Sequence, residues 1–253
     1  MKKVVIVADD YGLCESVNNG IMEAHQHGIV TELSLMLGSP GTDHALTIAK
    51  EKDVQNIGIH MLLKNWRDTG ALVRREDYIK LFNNLSESGV AELVGAELRE
   101  FEQIVGHKPT HITSQFGIVA HPKAIHSVIA YAKKHNIPMR QPVMTLYGDE
   151  PVQNEESLKL VQESQIQTTD YFFAHIMEPD YESLIRLYKN DLLAVGSNQT
   201  AEICLHPGFV SQELEQSTSL VHERERDTKL ATDTDFRAWI DAHDIVIVSY
   251  REI

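Results

Sequence analysis

Short runs of consecutive apolar, mostly β-branched residues alternate along this chain with segments whose apolar positions recur every three to four residues. Residues 4–8 (VVIVA) form the first such run and read as a strand buried on both faces. Ser16 then precedes VNNGIMEAHQHG, a helical pattern that closes on Gly28. The alternation continues with strands predicted over 32–37, 57–62, 111–116, 171–176, 201–205 and 245–250, and with 137–143 as a further strand candidate. Helices are predicted over 43–52, 91–105, 122–134, 183–189 and 236–243; the segment AELVGAELREFEQIV at 91–105 is strongly amphipathic. Residues 64–80 lack a period and are predicted as a loop or lid. Residues 144–170 and 210–232 are the least regular and are expected to lie over a site.

This βαβα order predicts an α/β fold with a mostly parallel sheet. Seven or eight strands suit a (β/α) barrel better than a short open sheet, and 253 residues is a normal length for one. No linker rich in Pro, Gly or Ser divides the chain, so a single domain over 1–253 is expected.

Composition narrows the function. Hydrophobic residues make up 42%, enough for a full core, and the formal net charge of −14 repels nucleic acid and anionic lipid. Neither a nucleic-acid nor a membrane partner is expected. Two cysteines, Cys14 and Cys204, form no disulfide framework and no zinc-finger spacing. The apolar run at 4–7 is too short for a secretion signal, and no run is long enough to span a membrane, which predicts a cytoplasmic setting.

Three sets of residues at predicted strand ends could carry chemistry. Asp9-Asp10-Tyr11-Gly12 follows the first strand. Two adjacent carboxylates inside a strand would face opposite ways, but a pleat broken at the strand end, with Gly12 permitting a sharp turn, lets both face one cavity. Such a pair suits one metal ligand plus one general base; the same residues also suit a plain turn with an Asp helix cap. His60, in GIHM, lies on an apolar strand and is either a ligand or a core histidine. His206, in HPGF, follows the run AEICL and is either a general acid or an ordinary loop histidine. In a barrel these ends converge on one face.

The string ADDYG, followed by Asn18, Gly20, Ile21 and GIVT at 28–31, resembles the opening of YdjC-like carbohydrate deacetylases. GIHM at 58–61, KPTHI at 108–112, LHPGF at 205–209 and SYREI at 249–253 continue the resemblance in the family's order over nearly the whole chain. The resemblance implies a distorted (β/α) barrel and metal-dependent removal of an N-acetyl group from an amino sugar or oligosaccharide. It implies Asp9 as general base, Asp10 and His60 as metal ligands, His206 as general acid, and Arg140 (in PMRQP) as a residue that orients the base or holds substrate.

One departure follows KPTHI. Where the family has Asp-Ser-His, this chain has Thr113-Ser114-Gln115, so the third metal ligand of the family falls on Gln115 and its nearby carboxylate on Thr113. His121 lies about 20 Å along an extended strand from Gln115 and does not fill the same vertex. His111 and His44 read as structural, His44 also as a supporting neighbour of the site. The Gln115 carbonyl is a weaker partner for Zn²⁺ than imidazole but is acceptable to oxygen-preferring cations such as Mg²⁺. A divalent metal, Mg or Zn, is therefore the expected cofactor, and a homodimer is compatible with the chain. The alternative is a relative that binds a sugar or protein partner without metal. A third reading, a hydrolase of another class on the same scaffold, meets no GxSxG, P-loop or GxGxxG pattern.

Overall fold

The computed structural model describes residues 1–64, 66–148 and 152–253. In chain order the strands and helices are β1 (Lys2–Tyr11), α1 (Glu15–Gln26), β2 (Glu32–Leu35), α2 (Thr42–Glu51), β3 (Ile57–Met61), α3 (Trp66–Thr69), α4 (Arg75–Asn84), α5 (Glu87–Val105) and β4 (Ile112–Ser114). They continue with α6 (Pro122–His135), β5 (Val143–Met144), β6 (Val152–Gln153), α7 (Glu155–Ser164), β7 (Tyr171–Phe173), α8 (Tyr181–Ala194), β8 (Thr200–Leu205), α9 (Gln212–Ser217), α10 (His222–Ala231), α11 (Thr234–Ala242) and β9 (Ile245–Val248).

Among the described residues, seven strands form one parallel sheet ordered β4-β3-β2-β1-β8-β7, with β9 also paired to β1. One edge of β1 carries β8 along Lys3–Ala8. The other edge is shared end to end, by β9 over residues 2–5 and by β2 from Val7 onward. The sheet curls into the expected distorted (β/α) barrel without a full strand at the seam. The strand predicted at 137–143 is reduced there to a single bridge between Ile112 and Met139. The Met139 amide donates to the Gln167 carbonyl (3.0 Å), carrying the backbone ladder toward β7.

Period-two alternation sorts the side chains. Val4, Ile6, Ala8, Ile57, Ile59, Ile112, Ala201, Ile203 and Leu205 join the main apolar core shared with the helices. The alternate residues face the barrel interior. Near its base these are Val5 and Val7, packed with Val248 and Tyr250. Further along they are polar, and they include Glu32, Ser34, His111 and Glu202, all fully buried.

The helices follow from local signals. Helix α5 is capped by Ser86, whose hydroxyl accepts from the Gly89 amide, ends at Gly106 with φ of 87°, and buries Val90, Val94, Leu98 and Phe101 as one stripe. Helix α6 starts with Pro122 after the His121 cap and stops at Asn136 in the left-handed region. His121 also stacks on Phe82 (centroids 3.7 Å apart), a structural role at the helix start.

Three expectations need correction. The unpatterned stretch 64–80 holds α3 and the first half of α4. The stretches 144–170 and 210–232 hold α7, α9 and α10, and α10 buries Arg224, Asp227 and Thr228, so apolar periodicity could not reveal it. The strand predicted at 111–116 stops at Ser114, because a kinked 3-10 segment, Gln115–Ala120, takes Phe116 and Gly117 to φ of 51° and 66°. Residues 65 and 149–151, within the predicted loop and irregular stretch, lie outside the described residues. No helix among the described residues is long and apolar enough to cross a membrane.

The turn after β3 generates a pH prediction. Glu97 of α5 accepts the Leu62 and Leu63 amides at 2.7 and 2.8 Å, where Leu63 has φ of 55°. Burial pushes its carboxyl up to about 7, against the two amides, which pull it down. The folded state therefore holds this proton more tightly than the unfolded chain, and stability falls as pH rises from the ordinary carboxyl range to about 7. The loss is on the order of 3 kcal/mol. Urea unfolding across that window should show the decline in the native chain and its absence in Glu97→Gln; parallel curves for the two would contradict it.

Candidate functional site

Inward-facing residues at the C-terminal ends of the strands close around a cavity of about 770 Å³. The entry of Asp9 and Asp10 depends on a bulge. Between Ala8 and Tyr11, β1 advances three residues while β2 advances two, from Leu33 to Leu35. Asp9 continues the inward series of Val5 and Val7. By alternation Asp10 would face the helices, but its φ of 67° turns it back, and both carboxylates line the same cavity. The break in the pleat thus lies at Asp10 inside the strand rather than after its end. Gly12, at φ of 99°, completes the turn, and a Cβ there would meet the Met36 carbonyl at 2.7 Å.

Each carboxylate carries its own arginine. Arg140 forks onto Asp9, donating from Nη1 to Oδ2 (2.6 Å) and from Nη2 to Oδ1 (2.9 Å). Its Nε donates to Glu202 Oε1 (2.6 Å), and the Tyr250 hydroxyl donates to Glu202 Oε2. Burial pushes the Asp9 carboxyl up, but Arg140, helped by His60 and His206, holds it well below the usual carboxylate range. Arg224 of α10 donates from Nη2 to Asp10 Oδ2 (2.6 Å) and from Nε to the Leu220 carbonyl (3.1 Å). Burial again acts upward on Asp10, and Arg224, His206 and His60 together bring it down.

His60 reaches in from β3. Its Nδ1 is 2.9 Å from Thr113 Oγ1, and its Nε2 is 3.5 Å from Asp10 Oδ1 and 3.2 Å from Gln115 Oε1. Gln115 follows β4 directly, and its Oε1 faces His60 Nε2. His206 follows β8; its backbone amide donates to Asp227 Oδ2 (2.8 Å), and its Nδ1 is buried with no hydrogen-bond partner. Burial holds its imidazole below the ordinary range, partly offset by Asp10 and Asp9. The structure therefore brings Asp9, Asp10, His60, Gln115, Arg140 and His206 into one cavity.

Two donor sets could hold a cation. Asp9, Cys204 and His206 offer atoms all within 4.8 Å of one another. Arg140 already offsets the charge of Asp9, however, and burial, reinforced by Asp9, pushes the Cys204 thiol well up, so it stays neutral and donates to Asp9 Oδ2 (3.3 Å). The second set is Asp10 Oδ1, His60 Nε2 and Gln115 Oε1. Donors about 2.0–2.3 Å from one ion stand about 3.0–3.5 Å apart, which matches the 3.2 and 3.5 Å spacings at His60 Nε2. The two spacings that meet at His60 Nε2 thus suit a divalent ion, with one carboxylate, one imidazole and one neutral amide as the donors.

Sequence reasoning missed Glu202, Tyr250, Cys204 and Arg224. A lone acid inside the apolar run AEICL was a readable signal for Glu202, and the SYREI motif contained Tyr250. Arg224 sits among the alternating charges of HERER and gave none. His111 Nδ1 lies 3.1 Å from Glu32 Oε2, its Nε2 is hydrogen-bonded with Ser34 Oγ (2.8 Å), its ring stacks on Tyr250, and His44 Nδ1 lies 3.1 Å from Asn18 Nδ2.

Residues 3–242 match the family described as YdjC-like protein. A protein of Brevibacillus brevis named carbohydrate deacetylase is 28% identical over 260 residues, covering 99% of each chain. One of Clostridium beijerinckii with the same name is 27% identical over 261 residues, covering 99% of this chain and all of that one. Among solved structures, a protein of Enterococcus faecalis V583 proposed to cleave cellobiose phosphate superposes with a TM-score of 0.80 at 22% identity, over 99% of this chain and 98% of its own. The chain belongs to the YdjC-like protein family.

Proposed function

We propose that this chain, as a single domain over 1–253, is a hydrolase that removes an N-acetyl group from an amino sugar or oligosaccharide. The observation that carries this reading is the convergence of an arginine-held carboxylate, a half-buried imidazole, and the donor atoms of Asp10, His60 and Gln115 on one cavity. The names of the curated relatives support the sugar as substrate class. The cavity has the size of a small-molecule site, and Phe116 and Phe172 are among its lining residues.

Asp10, His60 and Gln115 would hold a divalent cation, which when bound polarises the acetyl carbonyl and lowers the pKa of a water. Asp9 is ionised at neutral pH, and Arg140 fixes both its oxygens, so it is a positioned acceptor for the proton of the attacking water. A carboxyl held so low does not retain that proton. His206 is close by, and its neutral imidazole can receive the proton and deliver it to the nitrogen as the C–N bond breaks. Water thus adds to the acetyl carbon, acetate leaves, and the free amine remains on the sugar.

Tyr250 and Glu202 hold Arg140 in place, which links the end of the chain to the proposed base. Asp9→Asn should lower acetate release from N-acetylated oligosaccharides by about 10²-fold or more, measured with the metal-loaded protein; a rate within twofold of native would remove Asp9 as the base. Tyr250→Phe should cost about 1.5–3 kcal/mol in chemical denaturation, because Glu202 Oε2 loses its donor in a buried site. A change under about 0.5 kcal/mol would show that this hydroxyl does not support Glu202.

A further inference from the structure

Arg224 is 1% exposed and comes from α10, which is tied to the loop after β8 by Asp227 on the His206 amide and by Thr228 Oγ1 on the Gly208 amide (both 2.8 Å). The helix therefore fixes where the guanidinium lies. It contacts Asp10 on Oδ2, the oxygen opposite the one facing His60. Its Nη1 is buried without a hydrogen-bond partner, so the charge is only partly satisfied by its surroundings.

The consequence is electrostatic. Of the three donors facing the cation position, Asp10 alone is an anion, and Arg224 already cancels its charge at 2.6 Å. Asp9 is held through both oxygens by Arg140, which it shares with Glu202. The donors meet at His60 Nε2 with spacings that suit an ion, yet with Arg224 on Asp10 their own net charge is close to zero. A guanidinium charge about 5 Å from a divalent ion costs at least about tenfold in affinity even at the dielectric of bulk water.

We propose that Arg224 is a resident cation that sets the metal affinity of this site low, so that charge, rather than the position of the donors, limits binding. The inference rests on the cation site proposed above. With Gln115 contributing no charge, the centre takes up a divalent ion weakly, and an anionic or strongly polar oxygen from the substrate adds what the protein withholds.

The test is calorimetric titration of the chelator-treated full-length protein with Mn²⁺, needing no substrate. Arg224→Gln, which keeps a donor toward Asp10 but removes the charge, should bind at least about tenfold more tightly than the native chain. Arg224→Lys, which keeps the charge, should stay within about threefold of it. Arg224→Gln binding no more tightly than native would overturn the inference and make Arg224 a residue that merely orients Asp10. Should Arg224→Gln fail to fold by circular dichroism, Gln115→Glu decides, since it adds negative charge with Arg224 in place. Tightening by about tenfold supports the inference, and unchanged or weaker binding overturns it. Binding that survives in Asp10→Ala, or no binding by the native chain and every variant, would overturn the cation site itself and this inference with it.

Discussion

A single extra residue in β1 governs this site. Without the bulge at Asp10, strand alternation would send the two neighbouring carboxylates to opposite faces of the sheet, one to the cavity and one into the apolar layer under the helices. With it, two anions sit side by side in a buried place, and the surroundings must compensate both. Arg140 does so for Asp9 and Arg224 for Asp10, from two separate segments: the seam segment beyond β4, and helix α10. The bulge creates the electrostatic demand, and the arginines meet it.

The barrel interior continues the same logic downward. Arg140 needs a second acid, Glu202, which needs the Tyr250 hydroxyl; Tyr250 lies on His111, and its amide donates to Glu32 (2.8 Å). Gly58 makes room for this arrangement, since a Cβ there would press into the His111 ring at 2.4 Å. A chain of buried polar groups thus joins Tyr250 to the proposed catalytic carboxylate. Such a network is stable only if nearly every member is paired.

Much of the fold was legible because apolar runs mark buried parallel strands, and the predicted strands at 4–8, 32–37, 57–62, 201–205 and 245–250 each correspond to an observed one. What failed to show is what apolar periodicity cannot encode. Helix α10 buries charged residues, the segment around Met139 joins the sheet by one bridge, and the turn at Phe116 depends on a left-handed backbone at a residue type that rarely adopts it. The six candidate site residues were legible from strand ends and motifs, and they line one cavity. Their partners were not. Glu202, Tyr250 and Arg224 matter through contacts spanning 48 to 214 residues of sequence, which only the folded chain reveals.

The central claim is that Asp10, His60 and Gln115 form a cation position beside Asp9 and His206. Anomalous diffraction from crystals soaked in Mn²⁺ tests it most directly. The account predicts one anomalous peak about 2.0–2.4 Å from Asp10 Oδ1, His60 Nε2 and Gln115 Oε1, with the Arg224 guanidinium still on Asp10 Oδ2. A peak held instead by Asp9, Cys204 and His206, or a fully soaked crystal with no peak in the cavity, would contradict it.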